Sequence, residues 1–205
     1  MTGFGPFQTV VENPSSLIAA AVDGKCFGDV QVTGRQIDVS WSQSFTQVKA
    51  LVDELSPDAL VCFGVARSPV FRLEVMAENV ASKTEDAFGE RFESGPLGQI
   101  LSDAPAALFS TLPLAFLLRK LNSRCEQSAD QDSTLSGSLS HDAGQYLCNY
   151  LFFRVMNELD SVPVRGFIHV PPRASVDGSS TDEVIDAGEF LVQKTAAWLA
   201  KSTDE

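Results

Sequence analysis

The chain has 205 residues, of which 44% are hydrophobic and 20% are charged, and its formal net charge is −12. A chain of this size and composition can bury a substantial apolar core, and we expect residues 1–205 to form one domain. The acidic balance argues against nucleic acid and anionic membrane surfaces as partners. No apolar run approaches the roughly 18–20 residues of a membrane span, and no secretory signal opens the chain.

The opening segment "MTGFGPF" contains two glycines, Gly3 and Gly5, on either side of a phenylalanine. A phosphate-binding loop would need a strand before it and usually a lysine, but the first lysine is Lys25. Pro6 also removes a backbone donor from the loop. We therefore expect a sharp turn flanked by aromatic rings rather than a phosphate site.

The next segments alternate between helical and strand patterns. Asn13 is expected to cap the first helix, with Pro14 at its first position. Residues 44–55 have apolar side chains at helical spacing, and the apolar run Ala59–Val65 predicts a buried strand. Residues 69–80 fit either a strand or a loop.

The second half of the chain continues the alternation. Its predicted elements are a helix over 112–121, a polar surface loop over 122–132, a strand within 133–141, an apolar helix from about 144, a buried strand over 164–170 and an amphipathic helix over 181–201. Together they predict an α/β fold, a three-layer α/β/α sandwich around a mostly parallel twisted sheet.

The cysteines and histidines limit the chemistry that the chain can perform. The four cysteines, Cys26, Cys62, Cys125 and Cys148, form no CxxC pair, which excludes the usual zinc signatures and predicts reduced thiols in the cytoplasm. With only two histidines in the chain, a multi-histidine metal site is excluded as well. We therefore expect no metal and no cofactor.

Two residues stand out as candidates for nucleophilic chemistry. His169 ends a buried strand, where open α/β sheets place ligands and catalysts, whereas His141 lies in a polar segment that suits a solvated side chain. Cys148 lies in the first turns of a helix, whose N-terminus favours a thiolate. Composition alone leaves the structural alternatives open, because a cysteine in an apolar helix can fill the core and a strand histidine can be structural.

The segments "TGFGPF", "ENPS", "SHDAGQYLCNYLFF" and "RGFIHVP" occur in this order along nearly the whole chain. They closely resemble the motifs of the pyroglutamyl peptidases, cytosolic cysteine peptidases that remove an N-terminal pyroglutamyl residue. The resemblance implies Cys148 as the nucleophile and His169 as the base. The third member implied is Glu74 in "FRLEVMAENV", which is followed by Ala77 and Asn79 at the family's spacing.

The resemblance also implies a substrate pocket. Phe4 and Phe7 correspond to the phenylalanines that line the slot for the flat lactam ring, with Tyr146 and Leu147 on the same slot and Val65 at a position that contacts the ring. The implied partners are peptides with an N-terminal pyroglutamate, and self-association as a homo-oligomer stays open.

Several positions depart from the family pattern. The family's first apolar strand is missing before Thr2, which points either to a start inside the reading frame or to a curtailed form. Val65 stands where the family has a lactam-binding glutamine, and Val75 stands where it has an arginine. Arg67 and Lys83 are the cations nearest to two other family arginines. Loss of one buried hydrogen bond costs about 1–3 kcal/mol, so we expect weaker substrate binding rather than lost chemistry.

Three functions follow from these features. The retained cysteine, histidine and glutamate favour an active pyroglutamyl peptidase. The altered pocket would also fit an impaired family member that acts as a binding or regulatory protein, or a thiol hydrolase of shifted specificity.

Overall fold

The computed structural model describes residues 1–7, 12–95, 97–127, 135–172 and 181–202. The strands in these ranges are β1 (Thr2–Phe4), β2 (Cys26–Phe27), β3 (Val30–Gln31), β4 (Arg35–Ile37), β5 (Ala59–Val65), β6 (Phe71–Glu74), β7 (Met76–Glu78), β8 (Ala107–Phe109), β9 (Gly137–Ser140) and β10 (Val164–Val170). The helices are α1 (Pro14–Val22), α2 (Ser44–Leu55), α3 (Leu114–Gln127), α4 (Leu147–Glu158) and α5 (Thr181–Ser202).

A six-stranded sheet in the order β4-β1-β5-β10-β6-β9 forms the centre of the molecule. Its neighbouring strands are parallel except for β10 and β6, which are antiparallel. Strands β2 and β3, and strands β7 and β8, form two further antiparallel pairs outside this sheet. The predicted α/β class with a mostly parallel sheet is confirmed.

Apolar side chains cover both faces of the sheet. One core joins β5 and β10 to α2 and α4 and contains Cys62 and Phe167. The other joins the same strands to α1, α3 and α5 and contains Phe63 and Ile168. Neighbouring residues of one strand thus enter opposite cores, which explains why the buried strands are continuous apolar runs in the sequence.

The expectation that the first strand is missing is wrong, because Thr2–Phe4 form β1 between β4 and β5. The terminal amine donates to the Thr33 carbonyl at 2.6 Å, which ties the start of the strand to its neighbour. Gly3 serves close packing and not a turn, because a Cβ there would lie 2.0 Å from the Ser15 carbonyl oxygen. Because this strand is short and contains a glycine, the sequence shows no apolar pattern that would predict it.

Other elements match the prediction to different degrees. The segment that fitted a strand or a loop contains β6 and β7. Helix α3 continues to Gln127, so the first part of the predicted polar loop is helical and residues 128–132 of it lie outside the described ranges. The Asn122 side chain accepts from Gly137 N at 2.7 Å, and this tertiary contact holds the polar turn of the helix against β9. No helix within the described ranges is long and apolar enough to cross a membrane.

Candidate active site

Three strands bring the predicted histidine and glutamate together. On β10, His169 pairs with Gly64 of the parallel strand β5 on one side and with Arg72 of the antiparallel strand β6 on the other. Residues directly opposite each other in a sheet point to the same face, and so do residues two apart in one strand. Glu74 therefore projects on the same face as His169.

The glutamate and the histidine are joined by a short hydrogen bond inside the protein. His169 Nδ1 lies 2.7 Å from Glu74 Oε1, and both side chains are buried. The second carboxylate oxygen, Glu74 Oε2, is buried and has no hydrogen-bond partner among the residues that the structure describes. Because Nδ1 is taken up by the carboxylate, the other ring nitrogen of His169 is the one that can serve the thiol.

The thiol of Cys148 approaches the same strands from helix α4. Tyr146 is the N-cap of this helix, and the backbone bond from Tyr150 N to the Tyr146 carbonyl is 3.0 Å long. Cys148 is half-buried, and a Cβ at Gly64 would lie 2.8 Å from its Sγ. The absence of a side chain at Gly64 thus leaves the room that the thiol occupies beside His169.

The protonation of His169 depends on its two partners. Burial disfavours the imidazolium, but the negative charge and hydrogen bond of Cys148, followed by those of Glu74, outweigh burial and raise the pKa of His169 to about 9. Chemically, the arrangement can exchange a proton between the thiol and the imidazole while the carboxylate holds the ring in one orientation.

A cavity of about 160 Å³ opens beside the thiol. Its lining side chains include all five predicted pocket residues, Phe4, Phe7, Val65, Tyr146 and Leu147, together with Cys148 and His169. Phe4, Val65 and His169 come from the carboxyl-terminal parts of β1, β5 and β10, the edge at which α/β sheets bind ligands. The walls are mostly aromatic and aliphatic, which suits a small, flat, uncharged ring.

Asn13 also faces this cavity, but its side chain is engaged in the backbone around it. Its Oδ1 accepts from Ser15 N at 3.1 Å, and its Nδ2 donates to the Gly5 carbonyl at 3.0 Å. The predicted cap of α1 with Pro14 at the start of the helix is confirmed. The cap fixes the turn that carries Phe4 and Phe7.

The contacts that hold Tyr146 in the cavity wall were not predicted from the sequence. The Trp41 ring stands edge-on to the Tyr146 ring at 5.3 Å, and Trp41 N donates to Asp86 Oδ2 at 2.9 Å. Burial, followed by the charges of Asp86 and Cys148, raises the pKa of Tyr146 to about 12, so the phenol stays protonated and donates to the Glu85 carbonyl. The contacts join segments more than 40 residues apart, and no local pattern signals them.

Asn149 is a further residue whose contacts the sequence did not indicate. Its side chain is fully buried, accepts from Glu78 N at 2.9 Å and donates to the carbonyls of Glu78 and Val80 at 2.8 Å each. These bonds attach the first turn of α4 to β7 and so hold Cys148 in a fixed position relative to the sheet.

The remaining candidates lie away from the cavity. Arg67, Lys83 and His141 are exposed, and none of them belongs to the cavity lining. Among the described residues, no group of three histidine, cysteine, aspartate or glutamate side chains could hold a metal ion.

Comparisons with known proteins identify the family of the chain. The model of the pyroglutamyl peptidase family matches residues 1–185. A pyrrolidone-carboxylate peptidase from Bacillus thuringiensis is 30% identical over 176 residues, which is 83% of this chain and 76% of the relative.

Solved structures show the same fold. The pyrrolidone carboxyl peptidase from Thermococcus litoralis superposes with a TM-score of 0.83 at 27% identity, over 98% of this chain and 94% of that one. A variant of the enzyme from Pyrococcus furiosus also gives 0.83 at 27% identity, over 96% of both chains. The family match over most of the chain decides the assignment: the chain belongs to the pyroglutamyl peptidase family.

Proposed function

We propose that this chain is a cysteine peptidase that hydrolyses the N-terminal pyroglutamyl residue from peptides. In this proposal Cys148 is the nucleophile, His169 is the general base and acid, and Glu74 orients the imidazole. The observation that carries the proposal is the buried Glu74–His169 pair next to the Cys148 thiol, at the mouth of an apolar cavity, in a chain of this family.

The reaction proceeds in two halves. His169 already holds the thiol proton, and the Cys148 sulfur attacks the pyroglutamyl carbonyl to form a tetrahedral intermediate. The C–N bond then breaks as His169 returns the proton to the leaving amine, and a thioester remains on Cys148. In the second half His169 takes a proton from water, the hydroxide oxygen attacks the thioester, and free pyroglutamate leaves while the thiol is restored.

The backbone supports the charge that develops on the carbonyl oxygen. Cys148 lies at the second position of α4, within the first turn, where backbone N–H groups have no partner inside the helix. Its N–H, strengthened by the helix dipole, would stabilise the oxyanion.

The cavity accounts for the choice of the acyl group. Phe4, Phe7 and Tyr146 offer aromatic surface, Val65 and Leu147 offer aliphatic surface, and a five-membered lactam fits between such walls. Val65 provides no hydrogen bond to the ring, so backbone groups of the cavity would meet the lactam's polar atoms.

The setting of the reaction is part of the proposal. The free thiols at Cys26, Cys62 and Cys148 favour a reducing compartment such as the cytoplasm. One sheet with both faces covered favours a single working domain, and the exposed Phe109 and Leu139 are compatible with a homo-oligomer.

The test is the release of a fluorescent amine from a pyroglutamyl amide by the wild type, Cys148→Ala and Cys26→Ala. Cys26 is exposed on β2 and serves as the matched control. We expect the rate to fall at least about a thousandfold in Cys148→Ala and to stay unchanged in Cys26→Ala.

Two results would contradict different parts of this proposal. Hydrolysis that persists in Cys148→Ala would remove this residue from the nucleophile's role. A folded wild type that is silent on the pyroglutamyl amide but cleaves other acyl amides would shift the specificity and leave the nucleophile in place.

A further inference from the structure

Arg72 is the cation that stands next to the proposed catalytic residues. It precedes Glu74 by two positions on β6 and pairs with His169 across the antiparallel contact, so all three side chains share one face of the sheet. Its side chain is 27% exposed, whereas the Glu74 side chain is completely buried.

Several contacts hold the Arg72 guanidinium in one orientation. Its Nε and one terminal nitrogen donate to Ser140 Oγ at 3.1 and 2.6 Å, and the same terminal nitrogen donates to the Asp142 carbonyl. In this orientation Nε lies 3.4 Å from Glu74 Oε1. A guanidinium is charged at every pH at which the protein is folded, so Glu74 has a permanent cation beside it.

Glu74 depends on this cation because the protein gives it few other partners. Both close contacts, from His169 Nδ1 and from Arg72 Nε, fall on Oε1, and the buried Oε2 has no hydrogen-bond partner within the described part of the chain. During the proposed reaction the imidazole alternates between its charged and neutral forms. When it is neutral, Arg72 is the cation that remains beside the buried carboxylate and offsets the cost of burying that charge.

We propose that Arg72 is a positioning residue whose charge stabilises the buried Glu74 carboxylate throughout the reaction cycle and thereby holds His169 in its working orientation. This inference rests on the proposed function, since it assigns a role in the same site. The other titratable groups near the cluster are Cys148 from α4 and Asp142 from the turn after β9, whose carboxylate accepts from Gly144 N at 2.8 Å.

A structural role for Arg72 makes a different prediction. Arg72 also ties together Ser140 and Asp142, in the turn that leads to the helix of Cys148. If this tie were its whole contribution, Ser140→Ala, which removes the acceptor of two of its three hydrogen bonds, would reproduce most of the effect of removing the arginine. The charge beside Glu74 survives in Ser140→Ala, so the two roles separate.

The experiment measures the rate of Cys148 alkylation by iodoacetamide, and the hydrolysis of the pyroglutamyl amide, as functions of pH. The variants are Arg72→Gln, Arg72→Lys and Ser140→Ala, with Arg35→Gln as the control. Arg35 forms an exposed ion pair with Asp23 at the far edge of the sheet, and it is not part of the site.

We expect the acid limb of both profiles to move to higher pH in Arg72→Gln by about one pH unit, because the loss of a cation beside the cluster disfavours its negatively charged forms. Arg72→Lys keeps the charge and should keep the limb of the wild type. Ser140→Ala should leave the limb in place even where it lowers the rates, and Arg35→Gln should change neither.

Each result of this experiment either supports or contradicts the role of Arg72. An unmoved limb in Arg72→Gln, or an equal displacement in Ser140→Ala, would overturn it. If Arg72→Gln does not fold, a displaced limb in Arg72→Lys would overturn it and an unchanged limb would support it. Alkylation needs no substrate, so a silent wild type in the amide assay with a displaced alkylation limb would reject the proposed function and retain the role of Arg72.

Discussion

The protonation of one side chain, His169, shows how the charges of the site act on each other. It is 4% exposed, and burial alone would favour the neutral ring. The thiol of Cys148 and the carboxylate of Glu74 reverse this preference and raise the pKa of His169 to about 9. His169 is therefore protonated below that pH and loses its proton as the pH rises through it.

This balance can be measured by following the imidazole signals in a nuclear magnetic resonance titration. The chain has only two histidines, so His169 and His141 give two resolvable sets of signals, which His141→Gln assigns. We expect His169 in the wild type to titrate near pH 9. In Cys148→Ala burial remains while the largest opposing contribution is gone, so its pKa should fall by at least about one unit.

Cys26→Ala is the control for this titration, because Cys26 is exposed on β2. An unchanged titration of His169 in Cys148→Ala would contradict the electrostatic coupling of the thiol and the imidazole.

At this scale, motifs led to some residues and could not lead to others. The family pattern was sufficient to locate Cys148, His169 and Glu74, which the structure brings together. Arg72 and Asp86 carry no such pattern, because each acquires its contacts only when distant segments fold against it. The ion pair between Arg72 and Glu74, two residues apart on β6, was not predicted from the sequence either.

Among the elements, helix α4 and strand β5 are the ones that position the Cys148 thiol. Asn149 bonds the first turn of α4 to β7, and Gly64 lets the helix bring Cys148 down onto β5. A Cβ at Gly64 would lie 2.8 Å from Cys148 Sγ and 2.8 Å from Phe167 Cζ. A methyl group at this position would therefore crowd the sulfur and the ring at the same time.

We expect Gly64→Ala to fold and to lose about a hundredfold in kcat/KM, because a displaced nucleophile costs reactivity more than stability. Overpacking of this kind typically destabilises by about 1–3 kcal/mol. Amide hydrolysis and urea unfolding measured on the same sample separate the two effects.

Gly95→Ala is the matched control, since a Cβ there has its nearest neighbour at 3.5 Å. Equal activities of Gly64→Ala and the wild type would show that the thiol does not need the space above Gly64.

The sequence predicts helices and strands correctly where its local pattern of apolar residues agrees with their burial in the structure. The predicted bounds of α2, β5 and β10 match the structure because each is a strong periodic or apolar run. Strand β1 was missed because three residues with a central glycine carry no such pattern, and its stability comes from β4, β5 and α1. Strands β6 and β7 are similarly short, and for this reason their segment of the sequence fits either a strand or a loop.

On the scale of the whole molecule, the sheet order explains where the cavity lies. Strands β1, β5 and β10 are adjacent and parallel, so their carboxyl-terminal parts meet along one edge. The aromatic turn after β1, the apolar end of β5 and the histidine of β10 converge there from distant parts of the chain. Composition and charge excluded other classes of function, but only the ordered motifs led to the family.

The measurement that tests the central claim most directly uses two peptides that differ only at the N-terminus, one with pyroglutamate and one with glutamine. Each is incubated with the wild type and with Cys148→Ala, and the products are identified by mass spectrometry. We expect the wild type to remove pyroglutamate from the first peptide and to leave the second intact, because the uncharged ring fits the apolar cavity and a charged terminal amine does not. Cys148→Ala should leave both intact. Equal cleavage of the two peptides, or no cleavage by the folded wild type, would contradict the assignment of this chain as a pyroglutamyl peptidase.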